Sequence, residues 1–514
     1  MLTLASIFNK NIFLHLFDSS LSLESYLFLL IGTLVFLVLG YIFRVQQIKS
    51  NQRKLSFLVD KRTKLISKQK QEIEDQNQLI QIQKEKSDQL LLNVLPDYVV
   101  KELKQKDSVT IKTHKNASVM FIDIVGFSKI AEVTEPKFLV TKLNELFTEF
   151  DGIIEKYDLE KIKTIGDAYL VAGGLEEASK INAVNCVLAA LEVQNLMIDL
   201  KHQAINHNND FWSVRIGIHN GDVITGVLGT KRIAYDIFGN TVNIAERMQT
   251  NCQPGKVNIS ESTYNQINLF FNTTNRGEIP TKNTGDINMF FVNFLKTPFK
   301  LEKTDSSNSW FKEILNFYSQ SKFDFFGLNS FVINFLKNNL PSKLYYHGVH
   351  HTQDVFQSLD EICFYEKVKP DEYFLLKTAV LFHDMGYIDQ YKNNENLGVK
   401  YAEQTLPKFS FSKTQIRKIS KLILATKVPQ NPSNKLEKII CDADLDYLGR
   451  ADFFEISDSF FKELKGYKFL KNKSQWDKLQ VAFFETHVYF THFSQNNRTK
   501  LKQKHLKLIK ERLK

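Results

Sequence analysis

Cysteine is scarce in this chain. Cys186, Cys252, Cys363 and Cys441 are the only four in 514 residues, and no two form a CxxC pair. That spacing excludes a disulfide framework and a zinc knuckle, and it suits buried thiols in a reducing compartment. Positive charge is sparse before Ser25, whereas Arg44, Lys49, Arg53 and Lys54 crowd the residues just after Phe43. Glycine and proline are absent from Gln46 to Leu92, so the usual helix breakers are missing there. The hydrophobic fraction of 43% and charged fraction of 24% are ordinary and argue against large-scale disorder. The net charge of +10 gathers in Arg44–Lys70 and Lys500–Lys514. The first cluster is expected beside a membrane and the second on a solvated helix, so no nucleic-acid partner is expected.

After a short N-terminal segment (1–24), Ser25 to Phe43 runs for 19 residues without a charge, about the length that spans a bilayer as a helix. The basic residues behind it place the rest of the chain in the cytoplasm. A signal peptide would carry its charge on the other side. The expectation is a single-pass helix over 25–45 in the cell membrane, with the domains behind it cytoplasmic. Over 46–95, Val59, Ile66, Ile73 and Ile80 recur every seven residues, as in a supercoiled helix. The companion seam (Arg62, Gln69, Gln76, Gln83) is polar, so a coiled coil there pairs weakly. A single solvated helix is the plainer alternative. Pro96 is expected to end it.

From 96 to 297, strand-like and helix-like runs alternate, which indicates an α/β domain. The expected elements are strand Ser118–Ile124, helix Pro136–Tyr157, a hairpin Ile162–Val171 turning at Gly166–Asp167, and helix Ser179–Lys201. Strands Trp212–His219 and Val223–Leu228 and helix Asn240–Thr250 follow. A polar linker is expected over 298–312 and an all-α domain over 313–514.

Asp123 closes the apolar run SVMFID, and Asp167 stands at the hairpin tip of KIKTIGDAYL. Singly, each is more often a turn or cap residue. Together, at the ends of neighbouring strands, they suit hard cations bound through oxygen. AYDIFGNTVNIAERM contributes Asp236, Asn243 and Arg247; Asn243 and Arg247 are four apart on the expected helix and share a face. An Arg there can stabilise phosphoryl charge and an Asn can orient a sugar, with a surface pair on an amphipathic helix as the plainer alternative.

The stretches FIDIVGFS, EKIKTIGDAYLVAGG, VRIGIHNGDVITGVLG, YDIFGNTVNIAERM and CQPGKVNIS occur in this order. In them the chain resembles the class III adenylyl/guanylyl cyclase catalytic domain, with a βαββαβ-type core. The resemblance implies metal ligands Asp123 and Asp167 holding two Mg²⁺ or Mn²⁺. It also implies an adenine-selecting pair Lys163 and Asp236, and catalytic Asn243 and Arg247. Lys163 would donate to adenine N1 and Asp236 would accept from the 6-amino group. Guanine reverses that pattern, leaving buried groups unpaired. Guanylyl cyclases carry a Glu and a small residue at these places. The expected substrate is therefore ATP, with cyclic AMP and pyrophosphate as products. The ribose 3′-oxygen would attack in line at the α-phosphorus. Metals and base recognition come from different protomers in this family, so a homodimer through coil and cyclase domain is implied. The alternatives are a guanylyl cyclase and a non-catalytic nucleotide-binding signalling module. One departure stands at Lys282-Asn283-Thr284-Gly285-Asp286, where the family often shows Lys-Gly-Lys-Gly-Asp, so the phosphate-contacting lysine is not preserved in pattern.

In the helical part, Tyr346-His347-Gly348-Val349-His350-His351 precedes Asp354. His383-Asp384 stands in AVLFHDMGY, and Asp442 and Asp444 stand in IICDADLDYLGR. From His347 to Asp452 the pattern resembles the HD superfamily of metal-dependent phosphohydrolases. By that resemblance His351, His383, Asp384 and Asp444 hold divalent metal, with Asp384 able to bridge two ions. His347 stands where cyclic-nucleotide phosphodiesterases place a general acid, although Gly348 and Val349 depart from them. A phosphohydrolase is expected, or a degenerate domain kept for dimerisation or regulation.

Overall fold

The computed structural model describes residues 22–106, 108–176, 179–206, 211–229, 233–282, 284–300 and 309–514. The expected N-terminal segment thus lies outside the described residues except for its last three. Two compact units divide the chain, one up to Val100 and one from Lys101 onward.

The first unit is dominated by one uninterrupted helix, Leu23–Leu92, of 70 residues. Its apolar N-terminal stretch is long enough to cross a membrane, and it is exposed along its length. The expected span and the expected coil are therefore one rod. Val59, Ile66, Ile73 and Ile80 are all exposed on it. The helix ends at Leu92, where the Asn93 N–H bonds back to Gln89, four residues before Pro96.

The second unit begins with a sheet of strands β1 (Lys112–Ile124), β2 (Glu160–Ile165), β3 (Ala168–Gly173), β4 (Val214–Leu228), β5 (Ala234–Phe238), β6 (Val257–Ser260), β7 (Phe271–Thr281) and β8 (Gly285–Leu295). Their spatial order is β2-β3-β1-β4-β6-β8-β7, with β5 paired to β4. Neighbours are antiparallel except β4 and β6. Helices Pro136–Lys156 and Asn182–Asn206 cover one face, where Phe147, Phe150, Tyr169, Val171 and Val187 form the core.

One expected element is corrected. The two strands proposed around Asn220-Gly221 are a single strand, β4. Asn-Gly usually signals a turn, but a Cβ on Gly221 would lie 2.6 Å from the Thr241 hydroxyl. Glycine is there to let helix Asn240–Thr250 approach, not to turn the chain. At Gly217 the approach is tighter still: a Cβ would stand 1.9 Å from the backbone nitrogen of Gln249. These two glycines seat that helix directly on β4.

Among the described residues beyond β8 every regular element is helical, and the α-helices run from Ser309–Gln320 to His492–Arg512. Where the linker was expected, residues 301–308 lie outside the described residues, while Pro298, Phe299 and Phe311 are buried. Phe270, Phe299, Phe311 and Phe326 pack ring against ring, so sheet and helices share one apolar core. The Lys180 ammonium donates to the carbonyls of Ser321 at 2.6 Å and Phe323 at 2.7 Å across the same seam.

Candidate active sites

The β2–β3 hairpin turns at Gly166-Asp167, with Gly166 at φ +63° supplying the left-handed residue. Asp123 pairs in register with Ala168, so both aspartates meet at one end of the sheet. Burial first, and then the facing Asp123 carboxylate, push the Asp167 carboxyl above its ordinary value. Two carboxylates held together this way favour a cation between them. Asp123 Oδ2 is already fixed by Arg215 Nε and Gln249 Nε2, each at 2.8 Å. Arg215 lies across the ladder from Asp123, and Gln249 is delivered by the helix that Gly217 admits. Neither was singled out from the sequence, although an Arg opening one strand opposite an Asp closing its neighbour was a usable signal.

Lys163 sits on the edge strand β2. Ile162 is an extra residue in the β2–β3 ladder: Lys161 pairs with Val171 and Lys163 with Leu170. The bulge turns two lysines that alternation would align onto opposite faces. Lys161 bonds Asp151 on the helix-covered side. Lys163 instead reaches Asp236 on β5 and donates to its Oδ2. The other oxygen of Asp236 accepts the N–H of Ile237 at 2.9 Å. Asn243 is exposed on its helix, one turn before Arg247, whose Nε is buried without a partner. Lys282 lies at the tip of the β7–β8 hairpin, and Asn283 is outside the described residues.

In the helical part, His351 comes from helix Val349–Tyr365, His383 and Asp384 follow helix Pro370–Phe382, and Asp444 ends helix Lys435–Asp444. His351 Nε2 lies 3.4 Å from Asp384 Oδ2 and 3.3 Å from Asp444 Oδ1. His383 Nε2 lies 3.2 Å and 3.5 Å from the same two oxygens, and 3.4 Å from His351 Nε2. The His383 Nδ1–H donates to the Val380 carbonyl at 2.8 Å, which leaves Nε2 as a lone-pair donor. Burial opposes charge on His383, but Asp384 and Asp444 outweigh it and hold the imidazole well above its ordinary value. The same field favours a metal cation, and two imidazoles with two carboxylates form a donor set for a divalent transition ion.

His347 is outside this cluster but next to it. Its Nδ1 bonds Glu463 Oε1 at 2.5 Å, and its Nε2 lies 3.1 Å from the Tyr387 hydroxyl. Glu463 is fully buried and also accepts the backbone N–H groups of Tyr346 and His347 and the Tyr391 hydroxyl. Burial raises Glu463, but the contact with His347 outweighs it and holds the carboxyl below its ordinary value. Glu463 gave no sequence signal: it is one acidic residue in the helix Phe453–Gly466. Asp354 is taken up by Arg450 at 2.7 Å, and Asp442 by the N–H groups of Phe490 and Thr491.

Residues 109–294 match the family described as adenylate and guanylate cyclase catalytic domain. The guanylate cyclase soluble subunit alpha-1 of Bos taurus is 34% identical over 254 residues, 49% of this chain and 36% of that protein. The atrial natriuretic peptide receptor 2 of Anguilla japonica is 35% identical over 227 residues, 43% of this chain and 21% of that protein. The chain thus spans about a third or less of the length of these two curated relatives. Among solved structures, the guanylate cyclase domain of RhGC from Catenaria anguillulae is 31% identical with a TM-score of 0.34, covering 36% of this chain and 100% of that one. The adenylyl cyclase CyaB from P. aeruginosa is 27% identical with a TM-score of 0.35, covering 37% and 98%.

Proposed function

We propose, from the premise that residues 109–294 form an adenylyl/guanylyl cyclase catalytic domain, that this chain is a membrane-anchored adenylyl cyclase converting ATP to cyclic AMP and pyrophosphate. The observation that carries the choice of ATP is the contact between Lys163 and Asp236. An ammonium donor beside a carboxylate acceptor complements the N1 acceptor and 6-amino donor of adenine. Against guanine it presents donor to donor and acceptor to acceptor, which costs several kcal/mol. The relatives named as guanylate cyclases bear on the fold and the chemistry of the domain, while the base-reading pair bears on the purine.

Asp123 and Asp167 would hold two Mg²⁺ or Mn²⁺, and their crowded carboxylates fit that role. When bound, the ions lower the pKa of the attacking hydroxyl and neutralise triphosphate charge. Arg215 and Gln249 keep Asp123 aimed. Arg247, with its buried Nε unsatisfied, takes charge developing on the phosphoryl oxygens, and Asn243 orients the ribose. Ile165 and Phe238 lie exposed on the strands that carry Lys163 and Asp236, and Ile224 is exposed on β4 opposite Phe238. A second copy would cover them and bring its own aspartates, giving a homodimer with two composite sites. The helix Leu23–Leu92 serves as single-pass anchor and dimerising coil, with its heptad seam exposed for pairing.

The cluster of His351, His383, Asp384 and Asp444 is read as the metal centre of an HD phosphohydrolase. His347, tethered by Glu463, is its proton donor to a leaving oxygen. Incubating the chain in detergent with ATP or GTP and Mn²⁺, then identifying the product, tests the first reading. Preferential turnover of GTP sinks it. Comparing cyclic nucleotide accumulation with that of His383→Ala tests whether the second centre consumes the product of the first; equal accumulation rejects that link.

A further inference from the structure

We propose that Tyr387 is a catalytic residue of the helical domain, the group that hands the proton of His347 to the leaving oxygen. This rests on reading the neighbouring cluster as the centre of a phosphohydrolase. A histidine that protonates a leaving group directly needs a ring nitrogen facing that group. Both nitrogens of His347 are engaged: Nδ1 with Glu463 Oε1 at 2.5 Å, and Nε2 with the Tyr387 hydroxyl at 3.1 Å. Glu463 also accepts the N–H groups of Tyr346 and His347 and the Tyr391 hydroxyl, so its carboxylate is fixed and keeps a proton on Nδ1.

Nε2 opens directly to substrate only if the tyrosine swings away, and the packing opposes that. The Tyr387 ring stacks on the His347 imidazole, with centroids 4.1 Å apart and planes at 27°. Tyr391 abuts it edge-on at 5.0 Å and is itself packed against Tyr467 and Phe469. The backbone is fixed too: in the turn Met385–Ile388 the Tyr387 N–H donates to the Asp384 carbonyl at 3.1 Å, which ties the residue to the cluster. The hydroxyl hydrogen can still turn without moving any ring. When His347 carries protons on both nitrogens, Nε2–H donates to the Tyr387 oxygen, and the tyrosine O–H is released to bond a substrate oxygen. In the step itself hydroxide, formed from water by loss of a proton to solvent, bonds to phosphorus. The bond from phosphorus to the leaving oxygen breaks, with its electron pair on that oxygen. The leaving oxygen takes the Tyr387 proton, and Tyr387 takes the proton of Nε2. Tyrosine and histidine both end neutral, and solvent reprotonates His347.

The test uses the full chain in detergent with Mn²⁺, carrying Asp123→Ala and Asp167→Ala to silence the sheet site. Two kinds of phosphodiester are compared. Cyclic AMP and cyclic GMP lose a sugar alkoxide, which needs a proton; bis(p-nitrophenyl) phosphate loses a nitrophenolate, which departs without one. Tyr387→Phe keeps the ring and removes the hydroxyl. It should lower kcat for cyclic nucleotide about 100-fold more than kcat for the aryl ester. His347→Gln should show the same split, and the double variant should fall no further, because the two residues act in series. Turnover of the aryl ester also reports that each variant is folded. Equal losses on both kinds of ester make Tyr387 a packing residue and overturn the proposal. An alkoxide-specific loss in His347→Gln but not in Tyr387→Phe also overturns it, giving the transfer to His347 alone. A parent that hydrolyses only the aryl ester has no use for a proton donor and rejects it as well. No turnover of any ester by the parent overturns the phosphohydrolase reading itself.

Discussion

The two candidate sites of this molecule are built on opposite plans. At the sheet end, Asp123 and Asp167 crowd each other, Arg247 keeps an unsatisfied nitrogen, and Lys163 stands half-exposed on an edge strand. In the helical domain, His351 and His383 are buried, and each ligand whose outer contact is described is fixed by a second residue. On the proposed reading, the first arrangement is completed by what binds it: nucleotide, ions and a second copy. The second is assembled before anything arrives. Pre-assembly costs folding energy but demands little reorganisation on binding, whereas an incomplete site makes catalysis conditional on dimerisation.

Removing an acid from the incomplete site should have the largest effect. Asp167→Ala is expected to reduce cyclic nucleotide formation below detection while gel filtration shows an unchanged dimer; retained activity would equate the two plans. Arg247→Ala should lower kcat by about 100- to 1000-fold with a smaller change in KM, as for loss of one charge-stabilising donor. Lys163→Glu combined with Asp236→Ala should shift the ATP-to-GTP preference by about 100-fold or more, read as the ratio of kcat/KM values. Gly217→Ala should destabilise the sheet unit by about 1–3 kcal/mol, because the added methyl overlaps the backbone of Gln249. Thermal melting measures that loss, and an unchanged Tm would mean the helix can step back from β4.

The smallest effect is a pH dependence at the join of sheet and helices. Burial lowers the Lys296 ammonium from 10.5 to about 8. Below about pH 8 both folded and unfolded chains carry the proton, and the cost of burying the charge is fully present. Between about 8 and 10.5 the folded lysine sheds its proton while the unfolded one keeps it, so stability climbs with pH. Relative to Lys296→Met, the wild type should gain stability across that window and show no differential trend from pH 6 to 7.

Much of the sheet was legible because its strands carry local markers: Asp123 after an apolar run, Gly166-Asp167 at a hairpin tip, and the helix Asn240–Thr250 with its bounds. The break expected between His219 and Val223 is absent because glycine serves both turns and close packing, and only the neighbour, here Thr241, distinguishes them. The helical cluster was legible in part: the adjacency of His383 and Asp384 is a local pattern, and the fold brings His351 and Asp444 beside it. Its supports were not. Glu463 reaches His347 from 116 positions along the chain, while Asn394 and Gln430 stand 10 and 14 positions from the aspartates they bond, and each is an unremarked polar residue until the fold brings it there.

Phe270, Phe299, Phe311 and Phe326 meet across the boundary between the sheet and the helices. Severing the chain there would leave a raw aromatic wound on both pieces. A fragment encoding either half alone is expected to bare these rings and to yield sticky, aggregation-prone product.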